Sequence, residues 1–310
     1  MREGFRVLDF RNRPPMEGYG ALFDLKRQLL GHPWKRRALE LWFRWLTRSV
    51  RWSSNPGAAT LTASMREAPS QASIDLWWRE LGAAGIDAAV ANGRLSDDRG
   101  SVDSATLAAW QEAAPCRFFG LATIDLDQSP AAIAAQAEHA VKTLGLRGIN
   151  IEPAIRQRLG PTHVADPHFH ALFEAVSAMD APVMVYTSPF AGPSIDTAND
   201  MGPYRRVLTD FPRLKIILGH GAYPRVQQAI ETARRHPNIF ICQDIYSFWP
   251  GGELYLKSLT TLQDQYLYGS AYPFSSMAEP LEATLHLPVS THVKEKYLWT
   301  NGARLLGLPV

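Results

Sequence analysis

The chain has 310 residues, of which 46% are hydrophobic and 20% are charged. This composition is ordinary for a folded protein with a large buried core. A formal net charge of +2 is too small to indicate a nucleic-acid partner. No apolar run approaches the roughly 18 residues that cross a bilayer, and the N-terminus enters a strand without an apolar leader, so we expect a cytoplasmic protein and no membrane partner.

Short apolar segments alternate with longer segments of helical period along the chain. Eight of them are predicted strands, at Val7–Phe10, Ala88–Ala91, Phe118–Thr123, Gly148–Ile151, Val183–Tyr186, Lys215–Gly219, Ile239–Cys242 and Leu267–Gly269. Buried strands that alternate with helices are typical of a parallel sheet. The sequence therefore predicts an α/β fold, a (β/α)8 TIM barrel, as one domain over residues 1–310.

Two helices have clear start and stop signals. Ser73 is a predicted N-cap for an amphipathic segment that ends at Gly85, and glycine commonly ends helices. Asp166, followed by proline at the first helical position, predicts the start of another helix before the fifth strand.

Residues 17–69 interrupt this alternation, which predicts a helical insertion after the first strand. The segment from Trp34 to Arg48 is basic, rich in tryptophan and helical in period. A helix of this kind can bind a membrane or nucleic acid. We favour a helix that packs over the barrel or against a second subunit of a homo-oligomer, because only one such helix is present and Glu40 interrupts its positive charge.

Polar side chains cluster at the predicted carboxyl ends of the strands, where barrel enzymes place their active sites. Arg11 and Arg13 are two residues apart and should point the same way. The other strand-end candidates are Glu152, Tyr186, His220, Asp244, Ser270 and Tyr272.

Several segments resemble the amidohydrolase-related (amidohydrolase 2) family of metal-dependent hydrolases and decarboxylases. They are residues 7–14, 83–90, 117–123, 144–151, 166–186, 218–221, 268–274 and 301–306, in the family's order and spacing. The resemblance implies the barrel fold over essentially the whole chain. It also implies that the family's metal-ligand positions correspond here to Arg11, Arg13, Tyr186 and Ala271, and that His220 is a general acid or base.

These residue types predict a site that works without a metal or another cofactor. Guanidinium groups have no acceptor lone pair and stay protonated, and Ala271 has no donor atom. Tyr186 would bind a metal only as phenolate, far from its usual pKa of about 10. His220 alone cannot replace the roughly three protein ligands of a catalytic zinc.

Two neighbouring arginines need anions, and two sources stay open. A carboxylate or other anionic group of a substrate can bind them through charge-assisted hydrogen bonds. Alternatively, Glu152 and Asp244 neutralise them within the protein. Tyr186 either donates a hydrogen bond to the substrate or packs as an aromatic residue.

The leading hypothesis is a metal-independent hydrolase of a lactone or activated ester of a small anionic, carboxylated, cyclic or aromatic compound. In this hypothesis Arg11 and Arg13 bind the anion, His220 moves a proton, and Ser270 and Tyr272 are further candidates for substrate binding, although Tyr272 also suits a structural role. A decarboxylase or isomerase would use the same residues. Two competing hypotheses are a non-catalytic ligand-binding relative and a metal enzyme with Glu152 and Asp244 as displaced ligands.

Overall fold

Seven parallel strands form one curled sheet in the part of the chain that the computed structural model describes, which is residues 2–20, 74–95, 100–155, 158–187, 198–249 and 251–310. Their order in the sheet follows the sequence. They are β1 (Leu8–Asp9), β2 (Ala88–Asn92), β3 (Phe118–Thr123), β4 (Ile149–Ile151), β5 (Val183–Tyr186), β6 (Ile216–Gly219) and β7 (Ile239–Cys242). The prediction of a parallel α/β sheet of the TIM-barrel type is confirmed.

The place of the predicted eighth strand is taken by a segment, residues 266–272, that makes only isolated bridges to its neighbours. On one side the N–H of Leu267 donates to the carbonyl of Ile241 on β7 at 3.0 Å, and on the other the N–H of Phe10 donates to the carbonyl of Tyr268 at 2.9 Å. The N–H of Ser270 donates instead to a side chain, the Asp9 carboxylate, at 2.8 Å. The sheet is thus closed by a segment whose ladder is interrupted by a side-chain acceptor.

Helices follow most strands and pack against the outer face of the sheet. The predicted helix before β2 is confirmed at Ile74–Ala84, and Gly85 ends it in the left-handed region at a φ of 78°. Asp166 caps a 3-10 turn at Pro167–Phe169 that continues as a helix. The described α-helices are α1 (Ile74–Ala84), α2 (Ser104–Ala113), α3 (Pro130–Glu138), α4 (His170–Ala178), α5 (Met201–Asp210), α6 (Val226–Arg235), α7 (Glu253–Ser258), α8 (Ala278–Leu285), α9 (Thr291–Glu295) and α10 (Asn301–Leu305).

Two apolar clusters bury the two faces of the sheet. On β2, Ala89 and Ala91 belong to the large cluster that includes helix residues such as Trp77, whereas Ala88 and Val90 belong to a second cluster with Met184. Side chains of a strand alternate between its faces, so the first cluster fills the space between sheet and helices. The second lines the inner face.

Most of the predicted insertion, with its tryptophan-rich helix, lies outside the described residues. Its structure and the single-domain organisation therefore stay predictions. In the part of the chain that the structure describes, no helix has both the length and the apolar character needed to span a membrane.

Asp9 joins β1 to the closing segment, and its replacement should destabilise the fold. Its Oδ1 accepts the N–H groups of Arg11 and Ser270, and its Oδ2 accepts Asn12 Nδ2 and Ser270 Oγ. In Asp9→Asn an amide would face donors, so we expect the free energy of unfolding to fall by about 2–4 kcal/mol, measured by urea denaturation. The control Asp180→Asn removes a carboxylate whose side chain is 79% exposed, and should change stability by less than about 1 kcal/mol. Equal stability of both variants would contradict this role.

Candidate active site

The residues at the carboxyl ends of β1, β5, β6 and β7 meet at one end of the barrel. Arg11 follows β1, Tyr186 ends β5, His220 follows β6 and Asp244 lies just after β7. The backbones of His220 and Asp244 are in the left-handed region, with φ angles of 74° and 43°. Such conformations are uncommon for residues other than glycine and cluster at functional sites.

Arg11, His220 and Asp244 form the centre of this site, and all three side chains are buried. Nη2 of Arg11 lies 2.6 Å from Nε2 of His220, and Nε of Arg11 lies 3.6 Å from Oδ2 of Asp244. The same carboxylate oxygen lies 2.7 Å from Nδ1 of His220. Because a guanidinium group only donates, Nε2 must accept the hydrogen bond, and the proton of a neutral imidazole is then on Nδ1, facing Asp244.

The environment of His220 favours the uncharged imidazole. Burial is the largest effect; with Arg11 and Arg13 it lowers the pKa of His220 to about 4, although Asp244 acts in the opposite direction. His220 is therefore neutral at physiological pH in the free protein. It is a weak base, and its conjugate acid is a strong proton donor.

The pKa of His220 predicts a loss of stability in acid. Unfolded chains bind a proton at His220 with a pKa near 6.5 and the folded protein near 4, so between these values the unfolded state binds more protons. Stability then falls as the pH decreases from 6.5 to 4, by on the order of 3 kcal/mol from this group. Urea denaturation across this range measures the loss, and His220→Asn should lack this part of it. An NMR titration of His220 with a pKa at or above 6.5 would contradict this interpretation.

Arg13 is a buried cation without a carboxylate partner among the described residues. Burial is the largest effect; together with the positive charges of Arg11 and Arg94 it lowers the pKa of the Arg13 guanidinium to about 10. Its Nη1 is buried and makes no hydrogen bond to a described residue. Of the two predicted neutralising carboxylates, Asp244 contacts Arg11, as one of the predicted pairings has it, and Glu152 Oε2 lies 4.0 Å from Nη2 of Arg94. The Glu152 pairing predicted for Arg11 or Arg13 is therefore made with Arg94 in this structure.

Aromatic rings surround the imidazole. The ring of Tyr186 meets His220 edge-on, with centroids 4.9 Å apart, and the ring of Tyr246 does so at 5.4 Å. Cζ of Arg11 lies 5.8 Å from the centroid of Tyr186. These rings restrict the orientation of the imidazole.

The structure places Ser270 and Tyr272 in internal contacts. The hydroxyl of Ser270 donates to Asp9 Oδ2 at 2.6 Å and accepts from the N–H of Tyr272 at 3.1 Å. Tyr272 is hydrogen-bonded to Glu80 on α1. Burial is the main cause of a raised pKa of the Tyr272 hydroxyl, and Glu80 raises this pKa further. This geometry gives both residues a structural role, and substrate binding by either stays a prediction.

Sequence reasoning missed Asn92, Arg94, Asn150 and Tyr246. Asn92 ends β2 and Arg94 follows two residues later, the same spacing as Arg11 and Arg13 on the neighbouring strand. Applying the alternation rule to every strand end would have found this pair. Tyr246 lies in a 3-10 turn at Asp244–Phe248, and no sequence signal marks its contact with His220.

The donor set around His220 does not fit a divalent cation. Arg11 Nη2 occupies the lone pair of Nε2, and a guanidinium group at this distance repels a cation. Among the described residues, no group of three or more histidine, cysteine, aspartate or glutamate side chains could hold a metal ion.

Comparison with known proteins extends over nearly the whole chain. The family model described as "Amidohydrolase" matches residues 32–308. A comparison with curated proteins gives no significant match.

Similar solved structures include an uncharacterized TIM-barrel protein from Bordetella bronchiseptica, with 30% sequence identity, coverage of 97% of this chain and 98% of that chain, and a TM-score of 0.78. A 2,6-dihydroxybenzoate decarboxylase from Rhizobium has 15% identity, coverage of 98% and 99%, and a TM-score of 0.62. A 5-carboxyvanillate decarboxylase from Novosphingobium aromaticivorans, complexed with manganese and 4-hydroxy-3-methoxy-5-nitrobenzoic acid, has 17% identity, coverage of 99% and 97%, and a TM-score of 0.60. At these identities the two decarboxylases show a shared fold.

Proposed function

Because the chain belongs to the amidohydrolase 2 family of the amidohydrolase superfamily, we propose that it is an enzyme of this family that decarboxylates a small aromatic carboxylate without a metal ion. Enzymes with the same fold act on 2,6-dihydroxybenzoate and 5-carboxyvanillate, which supports the substrate class. The absence of a metal-binding donor set among the described residues around His220 supports the difference in mechanism.

The observation that carries the proposal is the charge of Arg13 beside the Arg11–His220–Asp244 group, which no carboxylate of the described residues contacts. Three buried guanidinium groups, those of Arg11, Arg13 and Arg94, have two carboxylate neighbours in contact among the described residues, Asp244 and Glu152. Burying an unpaired charge is unfavourable. A substrate carboxylate on Arg13 would supply the missing negative charge through a charge-assisted hydrogen bond.

In the proposed mechanism, binding of the substrate carboxylate also leads His220 to take up a proton. The bound anion attracts Arg11 away from Nε2 and raises the pKa of the imidazole, which takes a proton from solvent. Nε2 then gives this proton to the ring carbon that bears the carboxylate, forming a C–H bond with ring π electrons. The bond to the carboxylate breaks, its electron pair returns to the ring, carbon dioxide leaves, and His220 is neutral again. Tyr186 lies at the edge of the imidazole and donates a hydrogen bond to the substrate.

The same geometry argues against hydrolysis of a lactone or ester as the main reaction. Hydrolysis requires a base that takes a proton from water, and the best base has a pKa near the working pH. The pKa of His220 is about 4, and its Nε2 lone pair is occupied by Arg11. Decarboxylation instead uses the protonated imidazole as an acid, and this form arises when the substrate carboxylate draws Arg11 away from Nε2, so His220 suits decarboxylation better.

A panel of benzoates labelled with ¹³C at the carboxyl group, together with aromatic lactones, tests the reaction type. We expect labelled carbon dioxide and the matching arene in equal amounts from at least one benzoate. At subsaturating benzoate the Arg13→Met variant should release labelled carbon dioxide at least about tenfold more slowly. Lactone opening with no carbon dioxide from any carboxylate would contradict the proposal and favour the hydrolase.

A further inference from the structure

A groove of about 870 Å³ lies on the outside of the barrel, along the helices α5, α6 and α7. Part of its wall is apolar and consists of Ile230 and Leu254. Both side chains pack into the cluster that fills the space between the sheet and its helices. The groove is therefore on the helix side of the sheet, and the proposed reaction does not use it.

Positive charge dominates the groove. Four cations and two carboxylates line it, which gives a net charge of +2; they are Arg205, Arg234, Arg235, Lys257, Asp200 and Glu231. Glu231 pairs with Arg235 one turn further along α6, and Asp200 accepts the N–H of Gly202 as the N-cap of α5. The other three cations make no ion pair within the part of the chain that the structure describes. They are available to an anion from outside the protein.

Two of the cations meet between α5 and α6. Helix α6 packs against both α5 and α7, and consecutive residues of an α-helix point about 100° apart. Arg234 and Arg235 at the end of α6 therefore point in different directions. Burial, and after it the positive charges of Arg205 and Arg235, lower the pKa of His236. The guanidinium groups of Arg205 and Arg235 thus act on the same imidazole, and they form one pair of cations.

The second pair of cations lies between α6 and α7. The hydroxyl of Tyr266 lies 2.5 Å from Oγ of Ser258 at the end of α7. Burial raises the pKa of Tyr266, whereas the hydrogen bond with Ser258 and the positive charge of Arg234 act in the opposite direction. Arg234 therefore points towards the end of α7, where Lys257 precedes Ser258. Arg234 and Lys257 form the second pair.

Two neighbouring pairs of cations suit two linked phosphate groups. A guanidinium group can bind phosphate oxygens through two parallel hydrogen bonds, and a phosphate group brings up to about two negative charges and several acceptor oxygens. A single carboxylate has one negative charge and would leave one pair of cations without an anion. The volume of the groove lies within the roughly 300–1,000 Å³ of small-molecule sites, so it also has space for the rest of such a compound against the apolar wall.

We propose that the groove binds a small molecule that carries a diphosphate group. One phosphate binds Arg205 and Arg235, and the other binds Arg234 and Lys257. Arg235 can exchange Glu231 for the ligand at little cost, because exposed ion pairs contribute little to stability. The inference goes beyond the proposed function, since no residue of the groove belongs to the candidate active site.

Calorimetric titration of the full chain with inorganic pyrophosphate tests this site, at about 0.15 M salt so that unspecific attraction is screened. In the wild-type protein we expect one pyrophosphate per chain, bound at least about tenfold more tightly than inorganic phosphate. A variant that combines Arg205→Gln, Arg234→Gln and Lys257→Gln should bind pyrophosphate at least about tenfold more weakly. It should fold, because none of the three side chains is buried.

The matched control combines Arg79→Gln, Lys142→Gln and Arg147→Gln, which removes the same charge from exposed positions outside the groove. It should bind pyrophosphate as the wild-type protein does. Equal weakening in the two variants would overturn the site, since the net charge would then explain the attraction. No binding to the wild-type protein, or binding that Arg13→Met abolishes, would also overturn it. A single-stranded oligonucleotide that competes with pyrophosphate and binds more tightly would replace the small molecule by a nucleic acid and overturn the proposed ligand.

Discussion

Replacement of His220 by asparagine is expected to reduce kcat for decarboxylation by about 10²–10⁴-fold, the usual contribution of a general acid. The amide cannot carry the proton that the ring carbon needs. The fold should persist, because asparagine tolerates the left-handed backbone that His220 adopts at a φ of 74°. KM should change little, since the carboxylate is held by Arg13 in the proposed complex.

The pH dependence separates proton donation by His220 from a structural role. If His220 donates the proton, the wild-type kcat falls at high pH with the pKa of His220 in the substrate complex. His220→Asn should show no such dependence in its residual rate. The control His286→Asn replaces a histidine whose side chain is 56% exposed, and should retain wild-type activity. An undiminished rate in His220→Asn would remove this residue from the mechanism.

Replacement of Arg13 by methionine is expected to weaken binding of the substrate carboxylate by about 1.5–3 kcal/mol, or roughly 10- to 150-fold. Methionine fills a similar volume without charge. The free protein should become no less stable, because Arg13 is buried and its charge is disfavoured by Arg11 and Arg94. Loss of affinity together with unchanged or increased stability is typical of a residue kept for function.

Calorimetric titration with benzoates and urea denaturation of the same samples measure both effects. The matched control is Arg147→Met, because Arg147 precedes β4 at the opposite end of the barrel and lies 6.0 Å from the ring centroid of Phe119. Its removal should leave carboxylate affinity unchanged. If Arg13→Met binds carboxylates as tightly as the wild-type protein, the anion is held elsewhere and the proposed site is wrong.

Local patterns in the sequence were sufficient to predict most of the sheet. Val183–Tyr186 and Ile239–Cys242 are strands with the predicted bounds. Short apolar runs between turns are typical of buried strands. The eighth strand was not predictable in the same way. Its ladder is interrupted where the N–H of Ser270 donates to Asp9, a contact between residues 261 positions apart.

The residues of the candidate site could be predicted from the sequence, but the contacts between their side chains could not. Arg11, Tyr186, His220 and Asp244 all follow or end strands, and the strand ends of a barrel converge. Which carboxylate meets which arginine depends on side-chain reach across neighbouring strands, so the pairing of Glu152 with Arg94 had no sequence signal. The contact of Arg11 with Nε2 of His220 could not be predicted from the sequence for the same reason.

The metal dependence of the reaction is the most direct test of a site built on guanidinium groups. Carbon dioxide release from the best benzoate should be measured before and after treatment with a chelator, with the metal content of the same samples determined by mass spectrometry. We expect substoichiometric metal and a rate that neither the chelator nor added manganese or zinc changes. Stoichiometric metal, with activity that disappears on chelation and returns when the ion is restored, would contradict the proposed mechanism.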